Sequence, residues 1–576
     1  MLPVTLLLSP LLHLGFVPGV YGFPAGTGSI DETQLTPEDI AAFDAVAFGD
    51  KSTAGAASQC KPFPGTPSWP TEEEWSQLNE TLGGALLSPP PLASICYETW
   101  PEFNPEACSN LPHVVADEMT FTEDPMATWM QWPQGNTVKH VQAAVNFARN
   151  RNIRLVIKSE PRRGSLSIWT HHLVGFDYLD DYLQPGGNYR GPAVCVGAGV
   201  QAFEALAYAQ EHNITLLAPN SVAGCLTLGS YGGWFMGGGH SPLSSKFGLA
   251  ADQVLSINLV TANGHYVTAD PQTNPDLFFA LRGGGGGTFG VVTSVIVKAH
   301  PPVNVTFTHF NFTLAATPSA GQNNGATVSD PETFWKGFRE VLAFVIPTVE
   351  AQGFLLTLTV PHGDNQFHME VIIQMPDLTP ETVTQFVQPL LDALNEAGIA
   401  AAIDTPITEL YTNLTNKLGL HIGEWLFTTR MFPKNVLSNE VPLNYAVETL
   451  RAAVEAGHGF FTLSNAPTLE AAGYPAPAAV NPAPYEAAVI ESRLMEHVDA
   501  VRNVTPGGGS YINEAHVLET DWQQSFFGDN YNVLLRIKRE QGPWQLFWAP
   551  LTVGSEGWAV DDSGPLRTQN GPLCPV

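Results

Sequence analysis

Positive charge is scarce in this chain of 576 residues, which has 25 lysine and arginine residues against 55 aspartate and glutamate residues. The formal net charge of −30 at pH 7 argues against nucleic acids and anionic membrane surfaces as partners, because both repel an acidic protein. The sequence also lacks C-x-x-C pairs and His-x-His clusters, so no metal site is predicted.

Long apolar runs are missing beyond the first residues, since no later stretch reaches about 18 apolar residues in a row. We therefore expect no membrane span. Residues 1–22 are apolar, contain no lysine or arginine and end in small residues, which is typical of a cleaved signal peptide. The expected location is the secretory pathway, with the protein either secreted or retained in the lumen of a vacuole or vesicle.

Two further features favour an oxidising, glycosylating compartment. Cys96 and Cys108 lie close together in a loop rich in proline and asparagine, so a local disulfide between them is expected. The pairing of the remaining cysteines is left open. N-x-Ser/Thr sequons predict glycosylation at Asn79, Asn213, Asn304, Asn311, Asn413 and Asn503.

The chain is longer than one hydrophobic core usually supports, so at least two domains are expected. After residue 300, strands such as "FLLTLTVP" and "HMEVIIQM" mix with helices, which indicates an α+β fold class. The predicted division is a signal peptide (1–22), an N-terminal extension (23–112), a first domain (113–300), a second domain (301–506) and a C-terminal segment (507–576).

Strands and helices alternate within the first domain. Helical spacing of apolar residues predicts helices at "TVKHVQAAVNFARNRN" and "QAFEALAYAQEHN". Strands are predicted at "IRLVIK", "AVCVGAGV" and "ITLLAP". Asn263-Gly264 between two apolar strands predicts a β-hairpin.

Two glycine clusters, at residues 224–252 and 282–295, carry the strongest functional signal. Neither places a G-x-G-x-x-G spacing between a strand and a long helix, and no Gly-Lys-Ser/Thr follows, so Rossmann and P-loop sites are excluded. Glycine-rich backbone can still approach a ligand closely and bind anions. The clusters are therefore either a cradle for a large, flat, phosphate-bearing cofactor or a pair of glycine-rich turns.

The order of these segments resembles that of the FAD-linked oxidases of the vanillyl alcohol oxidase/p-cresol methylhydroxylase superfamily, in its berberine-bridge-enzyme-like branch. The matching segments are "GAGVQAFEALAYAQEHN", "CLTLGSYGGWFMGGGHSPLSSKFGLAADQVL", "RGGGGGTFGVVTS" and "YINEAHVLETDWQQSFFGDNYNVLLRIK". "GGGHSPLS" and "CKPFPGTPSWP" look most like secreted fungal oxidoreductases of the isoamyl alcohol oxidase type.

The resemblance implies a two-domain fold, with a PCMH-type FAD-binding domain over residues 113–300, a substrate domain, and a C-terminal segment that returns to the FAD domain. It implies oxidation of a small-molecule alcohol, with hydride passing to flavin N5 and O₂ giving hydrogen peroxide. Some such relatives serve gene clusters for polyketide toxins such as patulin, so a role in fungal secondary metabolism is expected. A monomer is expected.

The resemblance also assigns roles to individual residues. Tyr511 and Asn513, two apart on a predicted strand, would lie against flavin and substrate, and the phenol would take the alcohol proton. A buried tyrosine with a satisfied hydroxyl is the alternative. Glu424 and His516 are weaker candidates for the proton acceptor. The cofactor-binding residues implied are Cys225, Thr227, Gly229, Gly232, Gly233, Gly238, Gly239, His240, Gly290 and Val292.

The linkage of the cofactor is where this sequence departs from its relatives. In them the loop between the two strands of "VIKSEPRRGSLSIW" is longer and carries the histidine that attaches the flavin. Here that histidine is absent, and Arg162 and Arg163 either pair with the pyrophosphate or form a solvated corner. His171 and His172 are expected to lie on the second strand. Cys225 matches a position where relatives attach flavin carbon 6, or it is a small buried thiol.

Four alternatives to an alcohol oxidase stay open at the level of the sequence. One alternative is a berberine-bridge-like enzyme that forms a ring, and another is a carbohydrate oxidase. The shortened corner also admits an inactive, flavin-poor relative, or a mis-spliced chain that lacks the flavin-linking loop.

Overall fold

The computed structural model describes residues 35–53, 59–88, 90, 92–114, 132–133, 137–157, 165–219, 228–315, 325–361, 366–416, 428–480, 487–492, 498–516, 519–561 and 571–576. The predicted signal peptide, the corner at 158–164, Cys225, Thr227 and Glu424 lie outside these residues.

The N-terminal extension packs against the first domain. Its elements are α1 (Pro37–Ala42), α2 (Glu72–Thr81), β1 (Leu86–Leu87) and α3 (Pro105–Val114), followed by β2 (Trp132–Pro133) and α4 (Val138–Asn150). Helix α2 begins with a capping box, in which Thr71 accepts the Glu74 N–H and the Glu74 carboxylate accepts the Thr71 N–H. The ring of Trp75 on α2 lies 5.1 Å from that of Phe147 on α4. The extension therefore shares one core with α4.

Strands β3 (Arg154–Ile157) and β4 (Ser165–Ile168) pair in parallel, with Leu155 opposite Leu166. The two strands therefore do not form a hairpin, because the strands of a hairpin are antiparallel. His171 and His172 also differ from expectation, because they lie in a 3₁₀ turn, Thr170–His172, that follows β4. The ring of Trp169 stacks on that of His171 at 5.2 Å, which holds the turn against the strand end.

A second sheet carries the glycine clusters at the ends of its strands. Its elements are β5 (Phe176–Leu183), β6 (Arg190–Gly197), α5 (Ala202–Glu211), α6 (Ser244–Phe247), α7 (Ala250–Gln253), β7 (Val254–Val260), β8 (Tyr266–Ala269), α8 (Pro275–Leu281) and β9 (Val291–Lys298). The strand order over the described residues is β5-β6-β9-β7-β8, and every pair is antiparallel.

Two sequence expectations for this sheet have different outcomes. The hairpin between β7 and β8 is confirmed: Gly264 has φ +87°, and its N–H donates to the Thr261 carbonyl at 2.8 Å. The strand expected at "ITLLAP" is wrong. Thr215 alone bridges to His300, and the chain leaves the sheet after that residue.

The second domain is α+β, as expected. Its elements are β10 (Asn304–Leu314), β11 (Ala326–Val328), α9 (Pro331–Glu350), β12 (Phe354–Pro361), β13 (Phe367–Pro376), α10 (Pro380–Glu396), β14 (Ile407–Leu410), β15 (Thr428–Pro433), α11 (Lys434–Leu437), α12 (Glu440–Glu455), β16 (Phe460–Ser464), β17 (Ala487–Ser492) and α13 (Val498–Val504). Among the described residues the strand order is β11-β10-β13-β12-β16-β17-β15, with β14 beside β10. Its main core brings buried residues of α9, α10 and α12 against one face of the sheet, including Phe312, Phe338 and Val387.

The C-terminal segment returns to the first domain. Its elements are α14 (Tyr531–Gln541), β18 (Trp558–Val560) and β19 (Leu573–Pro575). Phe547 bridges to Leu155 on β3, and a disulfide joins Cys60 to Cys574. The expected Cys96–Cys108 disulfide is also present. Among the described residues, no helix is both long enough and apolar enough to cross a lipid bilayer.

Candidate active site and cofactor cradle

The first glycine cluster makes a sharp reversal that brings the C-terminal segment close. A 3₁₀ helix over Trp234–Gly237 ends where Gly238 takes φ +115° and Gly239 takes φ +76°, conformations that favour glycine. A Cβ at Gly237 would lie 2.2 Å from Asn513 Oδ1. Glycine is therefore required here for the approach of Asn513.

The two glycine clusters touch, because the Gly285 N–H donates to the Met236 carbonyl at 2.8 Å, and a gap lies beside them at Gly233 and Gly286. A Cβ at Gly233 would have no atom within 4 Å, and one at Gly286 would meet only the Gly233 carbonyl oxygen, at 4.0 Å. The next glycine, Gly287, has φ +65° and would place a Cβ 3.9 Å from Ile157, the last residue of β3. Gly233, Gly286 and Gly287 present bare backbone to this gap. A large, flat cofactor with phosphates fits such a cradle, because bare backbone can approach it closely.

Not every predicted cofactor residue borders this gap. A Cβ at Gly232 would lie 2.2 Å from the Ala198 carbonyl oxygen, and one at Gly290 would lie 2.6 Å from Leu259 Cδ1. Val292 is 3% exposed on β9. At these three positions neighbouring protein atoms occupy the side-chain direction. Gly229 bridges to Gln201, with open space around it except for the Ala198 carbonyl oxygen at 3.7 Å.

Tyr511 and Asn513 meet the first glycine cluster directly. The Tyr511 hydroxyl accepts the Gly239 N–H at 3.2 Å and Asn513 Nδ2 at 2.6 Å. Asn513 Nδ2 also donates to the Trp234 carbonyl at 2.8 Å. The backbone N–H of Tyr511 donates to Thr429 Oγ1 on β15 at 2.9 Å. Both domains and the C-terminal segment thus converge on one tyrosine.

The route to this arrangement is not the predicted strand. Ile512–Glu514 forms a 3₁₀ turn that Tyr511 precedes in an extended conformation. The turn folds the Asn513 amide back onto the Tyr511 hydroxyl. The pair is therefore held by an internal hydrogen bond and by the glycine cluster, with no strand ladder involved.

The Tyr511 oxygen is suited to receive a proton. Two N–H donors directed at one oxygen stabilise negative charge on it. Tyr511 is 6% exposed, so bulk water competes little for that oxygen. A side chain of this kind can act as general base toward a hydroxyl group held within hydrogen-bond reach.

The structure adds one residue that the sequence reasoning missed. Glu514 Oε1 lies 3.2 Å from His240 Nε2, and the His240 ring stands edge-on to the Tyr511 ring at 5.1 Å. The signal available was proximity, since Glu514 directly follows Asn513. His240, predicted as a cofactor residue, is 5% exposed and packs against Tyr511. His516 lies beyond this turn, where its carbonyl accepts the Glu519 N–H at 3.0 Å.

The sequons divide by exposure. Asn213, Asn304 and Asn503 are exposed, and Asn79 and Asn413 are half-buried. Asn311 is 7% exposed on β10, and a Cβ at Gly325 would lie only 2.0 Å from its Oδ1. The folded chain leaves no room for a glycan there, so the prediction does not fit Asn311. Within the described part of the chain, no group of three or more His, Cys, Asp or Glu side chains could hold a metal ion.

Comparison with known protein families matches two parts of the chain. The FAD binding domain model matches residues 134–270, which include β3, β4 and the first glycine cluster. The model described as berberine and berberine like matches residues 510–554, which include Tyr511 and Asn513. Both matches agree with the geometry, because these two parts meet at the Tyr511 hydroxyl.

Individual relatives match almost end to end. A VAO-type flavoprotein oxidase of Thermothelomyces thermophilus is 31% identical, over 90% of this chain and 97% of its own length. A bifunctional decalin synthase of Penicillium decumbens is 30% identical, over 88% of this chain and 96% of its own length. The crystal structure of the VAO-type flavoprotein MtVAO615 from Myceliophthora thermophila C1 superposes with a TM-score of 0.77 at 27% identity, covering 90% of this chain and 100% of that one. The expected fold and cofactor are confirmed: the chain belongs to the VAO-type, FAD-linked oxidoreductases with a berberine-like C-terminal segment, and its cofactor is FAD.

Proposed function

We propose that this oxidoreductase oxidises the hydroxyl-bearing carbon of a small-molecule alcohol and passes the electrons to O₂, in fungal secondary metabolism. The observation that carries the proposal is the Tyr511 hydroxyl, which is held by Gly239 and Asn513 beside the glycine cradle. Oxidation of an alcohol to a carbonyl compound releases one proton from oxygen and two electrons with the hydrogen on carbon. A site for this reaction needs a proton acceptor next to an electron acceptor.

The chain's own residues supply the proton chemistry and the positioning. FAD, when bound, would accept the hydrogen on carbon together with two electrons, and O₂ would reoxidise the reduced cofactor with release of hydrogen peroxide. The ionised Tyr511 oxygen, whose negative charge is stabilised by the N–H groups of Asn513 and Gly239, takes the hydroxyl proton and becomes a neutral phenol. Thr429 anchors the Tyr511 backbone from the second domain, so the proton acceptor is placed correctly only when both domains are docked.

We extend the proposal to location in the secretory pathway or outside the cell. Disulfides persist in oxidising compartments, and among the described residues two of them join Cys60 to Cys574 and Cys96 to Cys108. Asn213 and Asn503 offer exposed sequons on separate parts of the surface. Cleavage near residue 22 and glycan mass on the secreted protein, both measured by mass spectrometry, test this part.

The test of the activity is oxygen uptake and peroxide release by the purified yellow protein with a panel of primary and secondary alcohols. Tyr511→Phe should keep the yellow colour and lower kcat by about 100-fold or more, the usual scale of general-base catalysis. Tyr531→Phe is the matched control, because its hydroxyl pairs with Glu556 at 2.6 Å outside the site. A colourless protein, or a Tyr511→Phe variant with unchanged kcat, refutes the proposal.

A second candidate, formation of a ring, is favoured by the relative named as a decalin synthase. Product analysis separates the two functions. An alcohol oxidase yields a carbonyl compound two hydrogens lighter than its substrate with the same number of rings, whereas ring formation changes the carbon skeleton.

A further inference from the structure

A separate cavity lies at the end of the five-stranded sheet where β7 begins and β9 ends. Its walls come from the turn between β5 and β6, from residues 247–255, from the end of β9 and from residues 471–476 of the second domain. Its volume is about 240 Å³, whereas one water needs only about 10–15 Å³ measured in the same way. Gly233, Gly286 and Gly287 of the cradle do not line it, nor do Tyr511 and Asn513, although Phe247 and Asp252 in its wall belong to the first glycine cluster. It is large enough for an organic molecule.

One buried cation lies in the wall of this cavity. Lys298, the last residue of β9, is 9% exposed, and its Nζ donates to the Ala472 carbonyl at 2.8 Å. An ammonium group has three N–H donors, so donors remain for a further acceptor. Burial lowers the pKa of Lys298 to about 8; the Asp252 carboxylate opposes this shift and Arg282 adds to it. Lys298 therefore stays mostly charged at neutral pH.

Two other titratable side chains in the wall, His300 and Asp252, add no positive charge to that of Lys298. His300 Nε2 bonds to Gln253 Oε1 at 2.8 Å, and burial, with the nearby Lys298 and Lys246 charges, lowers the pKa of His300 to about 3. His300 is thus neutral. Asp252 brings one carboxylate, which already accepts the Leu249 N–H at 2.8 Å. The lining is close to neutral overall, which disfavours a ligand with several negative charges.

Flat aromatic groups complete the wall. Phe247 stacks on His300 with ring centroids 4.0 Å apart, and the Tyr189 ring centroid lies 5.7 Å from Lys298 Nζ. Val254 and Leu255 add apolar surface. Tyr474 is 63% exposed and also lines the cavity, so the cavity reaches the protein surface. Apolar walls with a few convergent polar groups are the usual character of small-molecule sites.

We infer that this cavity binds a small, flat organic molecule with a single carboxylate, an aromatic monocarboxylate being the best match. The carboxylate accepts N–H from Lys298, and the apolar body lies against Phe247 and Tyr189. Binding in this cavity does not depend on the reaction at Tyr511, so it can be tested independently of the proposed function.

Occupation of the cavity should also order the segment that covers it. Residues 471–476 lead on to Val480, whose backbone N would lie 2.4 Å from a Cβ at Gly283 in the second glycine cluster. Arg282 holds the same segment by donating to the Ala476 carbonyl at 2.7 Å. A molecule bound under residues 471–476 therefore contacts a segment that packs on the cofactor domain. Hydrogen exchange of these residues should slow when the ligand is bound.

The test is calorimetric titration of the FAD-loaded protein with benzoate near pH 6.5, where Lys298 is charged. We expect saturable binding of one benzoate per chain, weakened at least tenfold by Lys298→Met. Lys538→Met is the matched control, because Lys538 is also 9% exposed and donates to a backbone carbonyl, that of Val553 at 2.6 Å, but does not line the cavity. Tyr511→Phe should bind benzoate as the natural chain does, which separates this cavity from the candidate active site.

A second variant keeps the proposal testable if Lys298→Met fails to fold. Ala471→Leu fills the cavity from the covering segment and leaves the Lys298 charge in place, so it should also abolish saturable binding. Absence of saturable binding to the natural chain overturns the inference. Equal benzoate affinity in the natural chain and in a folded Lys298→Met or Ala471→Leu variant overturns it as well.

Discussion

Replacing Gly286 by leucine tests whether the gap beside the glycine clusters holds the cofactor. A Cβ at this position would have only the Gly233 carbonyl oxygen, at 4.0 Å, as its nearest neighbour. The protein alone therefore offers no obstacle to the new side chain. Substitutions without lost or clashing contacts usually change the free energy of unfolding by about 0.5 kcal/mol or less, so the cofactor-free variant should remain folded.

With FAD in the cradle the same side chain has to share the gap. Forcing extra carbon atoms into a filled space costs about 1–3 kcal/mol. Since about 1.4 kcal/mol corresponds to a tenfold change in an equilibrium constant, FAD should bind about 5-fold to about 100-fold more weakly. The structure therefore predicts loss of cofactor without loss of fold.

The assay is the ratio of visible flavin absorbance to protein absorbance after extensive dialysis, with thermal unfolding followed in parallel. Gly557→Leu is the matched control, because a Cβ at Gly557 would have no atom within 4 Å and Gly557 lies outside the cradle. Full flavin content in Gly286→Leu would refute the placement of the cofactor. The placement of the cofactor would also be refuted if Gly286→Leu lowered the thermal stability of the cofactor-free protein as much as that of the FAD-loaded protein.

Three further predictions concern the rest of the chain. Asn513→Ala removes a hydrogen-bond donor from the Tyr511 hydroxyl and should raise the pH at which kcat reaches its plateau. A pH–rate profile, compared with that of the natural chain, measures this change. An unchanged profile would count against Tyr511 as the base. In the second domain, burial raises the pKa of Glu370, but hydrogen bonds from His309 and His368 outweigh it and lower that pKa to about 2, while Glu370 raises the pKa of His309. Because the pKa of His309 is raised above its unfolded value of 6.5, the interaction stabilises the fold fully below about pH 6.5 and less as the pH rises through the folded pKa. Glu370→Gln should therefore reduce the loss of thermal stability over this pH range. An unchanged loss in the variant would contradict the prediction. Cys60→Ser with Cys574→Ser opens a loop of 514 residues, whereas Cys96→Ser with Cys108→Ser opens a loop of 12 residues. Chain entropy therefore predicts that the first pair of substitutions lowers the free energy of unfolding by about 3 kcal/mol more than the second. Urea titrations measure this difference, and equal losses would contradict the prediction.

Local patterns in the sequence were sufficient for several elements and for the two glycine-rich segments that meet near Tyr511. The apolar spacing of "VKHVQAAVNFARN" determines α4, and Asn263-Gly264 determines the β7–β8 hairpin, because periodicity and turn chemistry act over a few residues. The 12-residue separation of Cys96 and Cys108 is short enough for their disulfide to be anticipated. The density of glycine in the sequence likewise marks both walls of the cradle.

Local patterns misled where a neighbouring segment decided the conformation. "ITLLAP" is apolar enough for a strand, yet only Thr215 finds a partner, at His300, because no other described strand lies alongside. Tyr511 and Asn513 have the spacing of one strand face, but the turn that contains Asn513 packs on Gly237 instead. The direction of β4 relative to β3 also depends on the fold and not on the residues between them.

The sequence by itself thus determined the family, the cofactor and the residue types available for catalysis, since these are encoded in short motifs. Only the tertiary structure decided which atoms meet. Tyr511 reaches Gly239 across 272 positions, Cys574 reaches Cys60 across 514, and Lys298 lies beneath Ala472 across 174. Contacts between residues so far apart in sequence leave no periodic trace, because they arise from the docking of two domains and a returning C-terminal segment.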